Sequence, residues 1–252
     1  MSRLLLLALL LTGCASTYRL MEPTMEPWTY AAAVQRYLDR WSHWQSLTAH
    51  TKLKVQIGDS AMTAKGSLIY IAGESYHVSF ARPYNQVIGE FYMMPERMVY
   101  WGNDHSQLVF SPEDTVRLDE LIPIGFPSWN PRDLLPFPVG ARCDGLQIIE
   151  VRDDSLGRSM VVAESGGARY ELALTKADGV IRRETVRREG MEPVFKSYQR
   201  TYSIDGWPIS GRVICQDASG RIQLTWKLSS LELQAAPYAH PSEPLPNGDT
   251  HE

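Results

Sequence analysis

The chain has 252 residues, a formal charge of −4, 44% hydrophobic residues and 21% charged residues. That balance is ordinary for a globular protein and excludes a collagen-like or wholly disordered chain; the mild acidity offers no global attraction to nucleic acid. Three cysteines are too few for a disulfide-dense scaffold, and the length is ample for a sizeable core.

Arg3 precedes an almost pure leucine run at positions 4–11, broken only by Ala8. The run is shorter than the ~20 apolar residues of a membrane-spanning helix and fits an export signal. It ends in Leu11-Thr12-Gly13-Cys14, which resembles the lipobox of bacterial lipoproteins. That resemblance implies a signal peptide at 1–13 and a lipidated Cys14 at the start of the mature chain. The alternative is a plain secretory signal with a chance cysteine. Ala15, rather than an aspartate, follows the cysteine and leans towards the outer membrane. Later stretches fall short of a membrane helix, so the lipid is the expected membrane attachment. Residues 14–28, with Met21-Glu22-Pro23 and Met25-Glu26-Pro27, form a tether.

Over 29–45 the apolar residues Tyr30, Val34, Tyr37, Leu38, Trp41 and Trp44 share one helical stripe, with Thr29 as N-cap. The spacing predicts an aromatic helix that packs on a sheet or lies at a membrane surface. After it the period changes to two. Apolar and polar residues alternate over 51–57, 75–80, 169–174 and 221–228, the signature of strands with one buried face. Weaker runs lie near 61–71, 86–93, 97–101, 106–110, 146–152, 158–164, 180–188, 194–204 and 207–216. Gly58-Asp59, Gly73-Glu74, Asp178-Gly179, Asp205-Gly206 and Ser219-Gly220 supply turns. The pattern predicts a mainly β (α+β) domain over 29–236, an antiparallel meander of about eleven to thirteen strands. From Pro237 the chain turns polar and reads as a disordered tail over 237–252.

Residues 119–138 interrupt the meander. Prolines at 123, 127, 131, 136 and 138 forbid a central strand, and Asn130-Pro131 marks the start of a short helix over 130–135. Leu121, Phe126, Trp129, Leu134 and Leu135 are too apolar for a solvated linker. The segment is a lid or plug on the sheet, or a crossover packed on the core.

Catalytic motifs with known mechanics are missing from the sequence, and its six histidines are scattered. His77 falls on the polar side of its strand and is expected to face solvent. Arg182, Arg183, Arg187 and Arg188 form a basic cluster suited to anionic lipid headgroups or to an edge hairpin kept soluble by charge. Cys143 and Cys215 are either a disulfide or two unpaired thiols. The expectation is a non-enzyme without cofactor or metal.

The leader, the aromatic N-terminal helix, the long meander and the proline-interrupted insert together resemble the lipoprotein-localisation proteins LolA and LolB. The passage from Trp41-Ser42-His43-Trp44 to Val55 is similar to the helix-to-first-strand passage of LolB. Phe80-Ala81-Arg82-Pro83-Tyr84-Asn85-Gln86-Val87 is similar to an Arg-Pro turn after early strands of LolA-like sheets. The resemblance covers about 29–235. It implies an unclosed antiparallel β-barrel with a helical lid over an apolar cavity for acyl chains. Trp41, Trp44, Val78, Phe80, Phe91, Leu172, Trp207, Ile209, Leu224 and Trp226 would line that cavity. Leu121, Phe126, Trp129, Leu134 and Leu135 would form the lid, and Phe126 and Trp129 would stand in for LolB's exposed apolar loop. The chain is longer than a typical LolB. The expected role is an outer-membrane lipoprotein, on the inner leaflet facing the periplasm, that binds a lipid or lipoprotein acyl chains, as in lipoprotein or lipid transport to the outer membrane. The alternative is an envelope scaffold that grips a protein partner.

Overall fold

The computed structural model describes residues 44–72, 75–81, 87–94, 97–102, 107–110, 126–139, 146–153, 158–175, 180–204 and 207–235. They contain thirteen strands: β1 (Trp44–Ile57), β2 (Ser60–Ile71), β3 (Ser75–Ala81), β4 (Val87–Met93), β5 (Met98–Gly102), β6 (Gln107–Phe110), β7 (Gln147–Asp153), β8 (Arg158–Ser165), β9 (Ala168–Thr175), β10 (Ile181–Arg188), β11 (Val194–Ile204), β12 (Trp207–Gln216) and β13 (Ile222–Ala235). All join one antiparallel sheet in the order β6-β5-β4-β3-β2-β1-β13-β12-β11-β10-β9-β8-β7. The chain therefore runs outward from β1 to β6, one end of the strand order among the described residues. It resumes at the other end with β7 and returns to pair β13 with β1.

Ring contacts show that the sheet curls. Phe80 on β3 and Trp226 on β13 are three strand spacings apart, about 14 Å in a flat sheet. Their ring centroids lie 5.8 Å apart. One continuous core draws in residues from both halves, among them Leu47, Leu68, Val78, Leu172, Val213 and Leu224. The result is an unclosed barrel with an apolar concave face. A bulge assists the bend: β13 spends one extra residue opposite Thr48–His50, and Ser230 there adopts φ 49°. Gly211 on the concave side lets the Tyr202 ring lie against the backbone, since a Cβ there would sit 1.9 Å from the ring.

Strand positions follow the alternation in the sequence, with three differences. Trp44 and Gln45 open β1 instead of ending a helix. Trp44 pairs with Ala235 of β13 and packs edge-on against Trp207 at 6.2 Å, so sheet pairing and aromatic burial override the helical spacing. The rest of the predicted helix, including Trp41, lies outside the described residues, as do the leader, the tether and the tail. Strand β13 runs to Ala235, seven residues past the alternation, because β1 extends equally far back to pair with it. The arginine-rich β10 is no edge: β9 and β11 flank it.

Candidate functional site

Between β6 and β7 in the chain, a described stretch packs against the concave face. Residues 126–139 are described, and Phe126, Trp129, Leu134, Leu135, Phe137 and Val139 are all part of the core. The segment is a plug. Leu121 lies outside the described residues. Phe126 and Trp129 are buried, which removes them as an exposed apolar loop. Local sequence dictates the centre of the plug. Asn130 caps a 3-10 turn, Pro131–Leu134, accepting from the Arg132 N–H at 2.9 Å, and Pro131 occupies the first helical position.

A proline-rich segment packed inside a barrel has backbone carbonyls that no sheet ladder satisfies. Side chains of the sheet do so. Lys196 Nζ donates to Leu135 O at 2.8 Å and to Phe137 O at 3.0 Å. Trp226 Nε1 donates to Leu134 O at 2.8 Å, and the Cys215 thiol lies 3.7 Å from the same oxygen. Arg188 grips the Asp133 carboxylate through Nε at 2.6 Å and Nη2 at 3.1 Å. On the far side Arg132 Nη2 donates to Met94 O, at the end of β4, at 2.9 Å. The plug thus ties the two halves of the barrel together.

Lys196 and Glu184 are paired neighbours on β11 and β10, with side chains 0% exposed and N···O 4.0 Å apart. The Tyr198 hydroxyl donates to Glu184 Oε2 at 2.5 Å and lies 3.2 Å from Phe137 O. This charged pair faces the core. The sequence carried a signal for it: Lys196 sits between Val194 and Tyr198 at the inward parity of β11, and Glu184 shares parity with Val186. The basic cluster divides. Arg188 belongs to the plug contact, and Arg187 meets Glu171 at 3.4 Å. Arg182 donates to Thr175 and Thr201.

Trp44, Val78, Leu172, Trp207, Ile209, Leu224 and Trp226 are buried in this one core, and Phe80 and Phe91 pack against it. One cavity, of about 30 Å³, lies between plug and sheet, bordered by Trp44, Phe137, Ile181, Tyr198 and Ile209. It has room for a few waters, whereas small-molecule pockets run to about 300–1,000 Å³. Cys215 is buried on β12; Cys143 lies outside the described residues.

On the convex side His77 is half-buried rather than free in solvent. Its ring stacks on Tyr92 at 4.0 Å, and Nε2 lies 3.4 Å from Glu90 Oε2. Burial, then the hydrogen bond and charge of Glu90, push the Tyr92 hydroxyl above its usual range. Trp101 packs edge-on against Tyr92 at 4.6 Å and is partly exposed. Among the described residues no group of three or more His, Cys, Asp or Glu is placed to hold a metal ion.

No protein-family model and no curated protein sequence matches the chain. Solved structures do. A domain assigned to outer-membrane lipoprotein sorting from Vibrio parahaemolyticus superposes with TM-score 0.60 at 11% identity, over 81% of this chain and 92% of its own. A LolA superfamily protein from Nitrosomonas europaea gives TM-score 0.60 at 12% identity, over 83% and 96%. A DUF1329 family protein from Desulfovibrio piger gives 0.58 at 11%, over 81% and 91%. The chain has the fold of the LolA superfamily.

Proposed function

We propose that this chain is a lipid-anchored protein of the bacterial cell envelope that holds acyl chains, of a lipid or a lipoprotein, against its concave face. In this reading Cys14 carries the anchor after removal of 1–13, residues 14–28 tether the 29–236 domain to the outer membrane, and Cys143 and Cys215 are a candidate disulfide. The role is binding and transfer rather than catalysis. The fold supports it, since one of the similar structures bears the name of lipoprotein sorting.

The observation that carries the reading is how the plug is held. Its backbone oxygens are bound by sheet side chains, Lys196 and Trp226, rather than by a ladder. Such contacts release a segment without unravelling a strand. The plug also holds the Trp129 indole N–H buried without a hydrogen-bond acceptor among the described residues, a cost of about 1–3 kcal/mol that displacement relieves. Acyl chains entering the space would bury apolar surface at about 25 cal/mol per Å². Trp44, Val78, Phe80, Phe91, Leu172, Trp207, Ile209, Leu224 and Trp226 would line it.

The test is organic extraction and mass spectrometry of the full chain purified from its membrane. The expected result is a stoichiometric acyl lipid. Asn130→Ala removes the cap of the plug's own turn, about 1 kcal/mol, and should tighten apparent lipid affinity about fivefold by loosening the closed state. The plug's own buried side chains, among them Trp129, Leu134, Leu135 and Phe137, favour a second reading, a scaffold with an occupied interior that binds a protein partner. A wild type and an Asn130→Ala variant both bare of lipid would select it.

A further inference from the structure

Four of the chain's six lysines lie on one wall of the barrel: Lys52 and Lys54 on β1, Lys65 on β2 and Lys227 on β13. Strand register sets three of them in a row with Arg212 of β12. Lys65 pairs directly with Lys52, Lys52 with Lys227, and Lys227 with Arg212. Their chain neighbours Leu53, Trp226 and Val213 turn into the core, so the row faces outward on the convex side. The three lysines are exposed, and Arg212 is partly buried.

Stability does not explain the row. Like charges directly opposite each other destabilise a strand pair, and here three such pairs follow one another. Charges on an edge strand deter unwanted pairing, but β2, β1, β13 and β12 form the middle of the sheet order. On all four strands the outward positions two residues up or down carry no carboxylate. Among the described residues none of the four side chains makes a hydrogen bond or an ion pair, and Arg212 Nε is buried without an acceptor. Lys54, the next outward position after Lys52, donates to Gln56 at 3.1 Å and so keeps its charge unopposed. The chain as a whole carries −4, so this concentration of cations runs against its overall sign.

We infer that this wall is a membrane-docking face, on which the row from Lys65 to Arg212 meets the phosphates of anionic phospholipid headgroups. Four cations over three strand spacings span about 14 Å. Lysine carries a compact charge with freely turning donors on a flexible stem, which suits several mobile phosphates better than one planar partner in fixed geometry. Each such cation near an anionic surface adds to the attraction. Protein interfaces centre on desolvated aromatic or apolar anchors. The outward neighbours of the lysines, Thr63, Ser67, His50 and Ser229, offer none. The inference rests on the proposed placement at an envelope membrane and not on acyl binding. The proposed anchor sets the distance to the bilayer, and the row sets which wall meets it, the two-signal attachment of a lipid chain plus a basic patch.

The test uses the full chain, purified from its membrane and inserted into lipid nanodiscs of phosphatidylcholine alone or of phosphatidylcholine mixed with phosphatidylglycerol. Lysine acetylation by an uncharged reagent is followed site by site with mass spectrometry. Lys52, Lys65 and Lys227 should react about fivefold more slowly in the anionic nanodiscs, the factor expected of even one cation held at such a surface, and high salt should abolish the difference. Lys52→Glu turns two like-charge pairs, with Lys65 and with Lys227, into opposite ones, so the sheet should fold at least as well. In that variant the effect of lipid composition at Lys65 and Lys227 should shrink to about twofold or less. Equal reactivity in the two nanodiscs overturns the docking face; if reaction is slow in both, a protein cover, a second copy or an acidic partner, takes its place. An undiminished effect in Lys52→Glu overturns it as well. A chain that leaves both nanodiscs overturns the membrane placement and this inference together, while acyl binding is judged separately by the extraction above.

Discussion

Replacing Lys196 by Met keeps most of the side-chain volume and removes the ammonium. Two carbonyls of the plug, Leu135 O at 2.8 Å and Phe137 O at 3.0 Å, lose their donor. Glu184 stays buried with the Tyr198 hydroxyl but without its cation. Removing one member of a buried ion pair costs about 3–5 kcal/mol, because the remaining charge is stranded. At about 2–4 °C per kcal/mol for a domain near 200 residues, the melting temperature should fall by roughly 6–20 °C. The assay is urea unfolding of the full chain followed by tryptophan fluorescence, run as a cycle with Glu184→Gln and the double variant. Glutamine still accepts from Tyr198 and leaves no stranded carboxylate. The double variant should therefore be more stable than the summed single losses imply, by about 2 kcal/mol. A single loss below about 1 kcal/mol, or additivity within about 0.5 kcal/mol, would refute a coupled buried pair beneath the plug.

Asp217 closes the turn between β12 and β13. Burial opposes its ionisation, but the Ser219 hydroxyl and the backbone N–H groups of Ile222 and Ser219 outweigh it and hold the carboxyl below its usual range. A depressed folded value contributes stability above the unfolded pKa and loses it as pH falls through the folded one. Urea midpoints should drop on acidification below about pH 4 in the wild type. Asp217→Ala, about 2 kcal/mol less stable at neutral pH, should lack that increment; parallel pH profiles would contradict this. Gly66→Ala would place a Cβ 1.9 Å from Ser79 O, forcing β2 and β3 apart. A loss of about 1–3 kcal/mol is expected, and an unchanged melting curve by circular dichroism would count against the close approach. Gly166→Ala meets nothing within 4 Å but requires φ +55°, so about 1 kcal/mol is expected from strain alone.

Much of the meander was legible because a strand's two faces alternate in the sequence itself. Thr51–Ile57 states its inward face, and its observed partners on β13 and β2 keep that register. The Asn130-Pro131 cap was equally local, and the 3-10 turn begins there. Trp44 was misplaced because helical spacing and strand parity both fit a short aromatic run. Pairing with Ala235, far along the chain, decided between them. The arginines of β10 looked like a surface cluster because their partners are distant: Asp133 lies 55 residues from Arg188.

By itself the sequence determined a one-sheet antiparallel β domain with an apolar, proline-broken insert, since periodicity, turn residues and proline act within a few positions. Tertiary structure alone decided that the sheet curls until Phe80 meets Trp226. It also decided that the insert runs inside the curl and that its carbonyls end on Lys196 and Trp226. Those outcomes depend on which acceptor lies opposite a buried donor. Parity along a strand shows that Lys196 points inward. Only the folded barrel supplies Glu184 and the plug oxygens that make a buried ammonium tolerable.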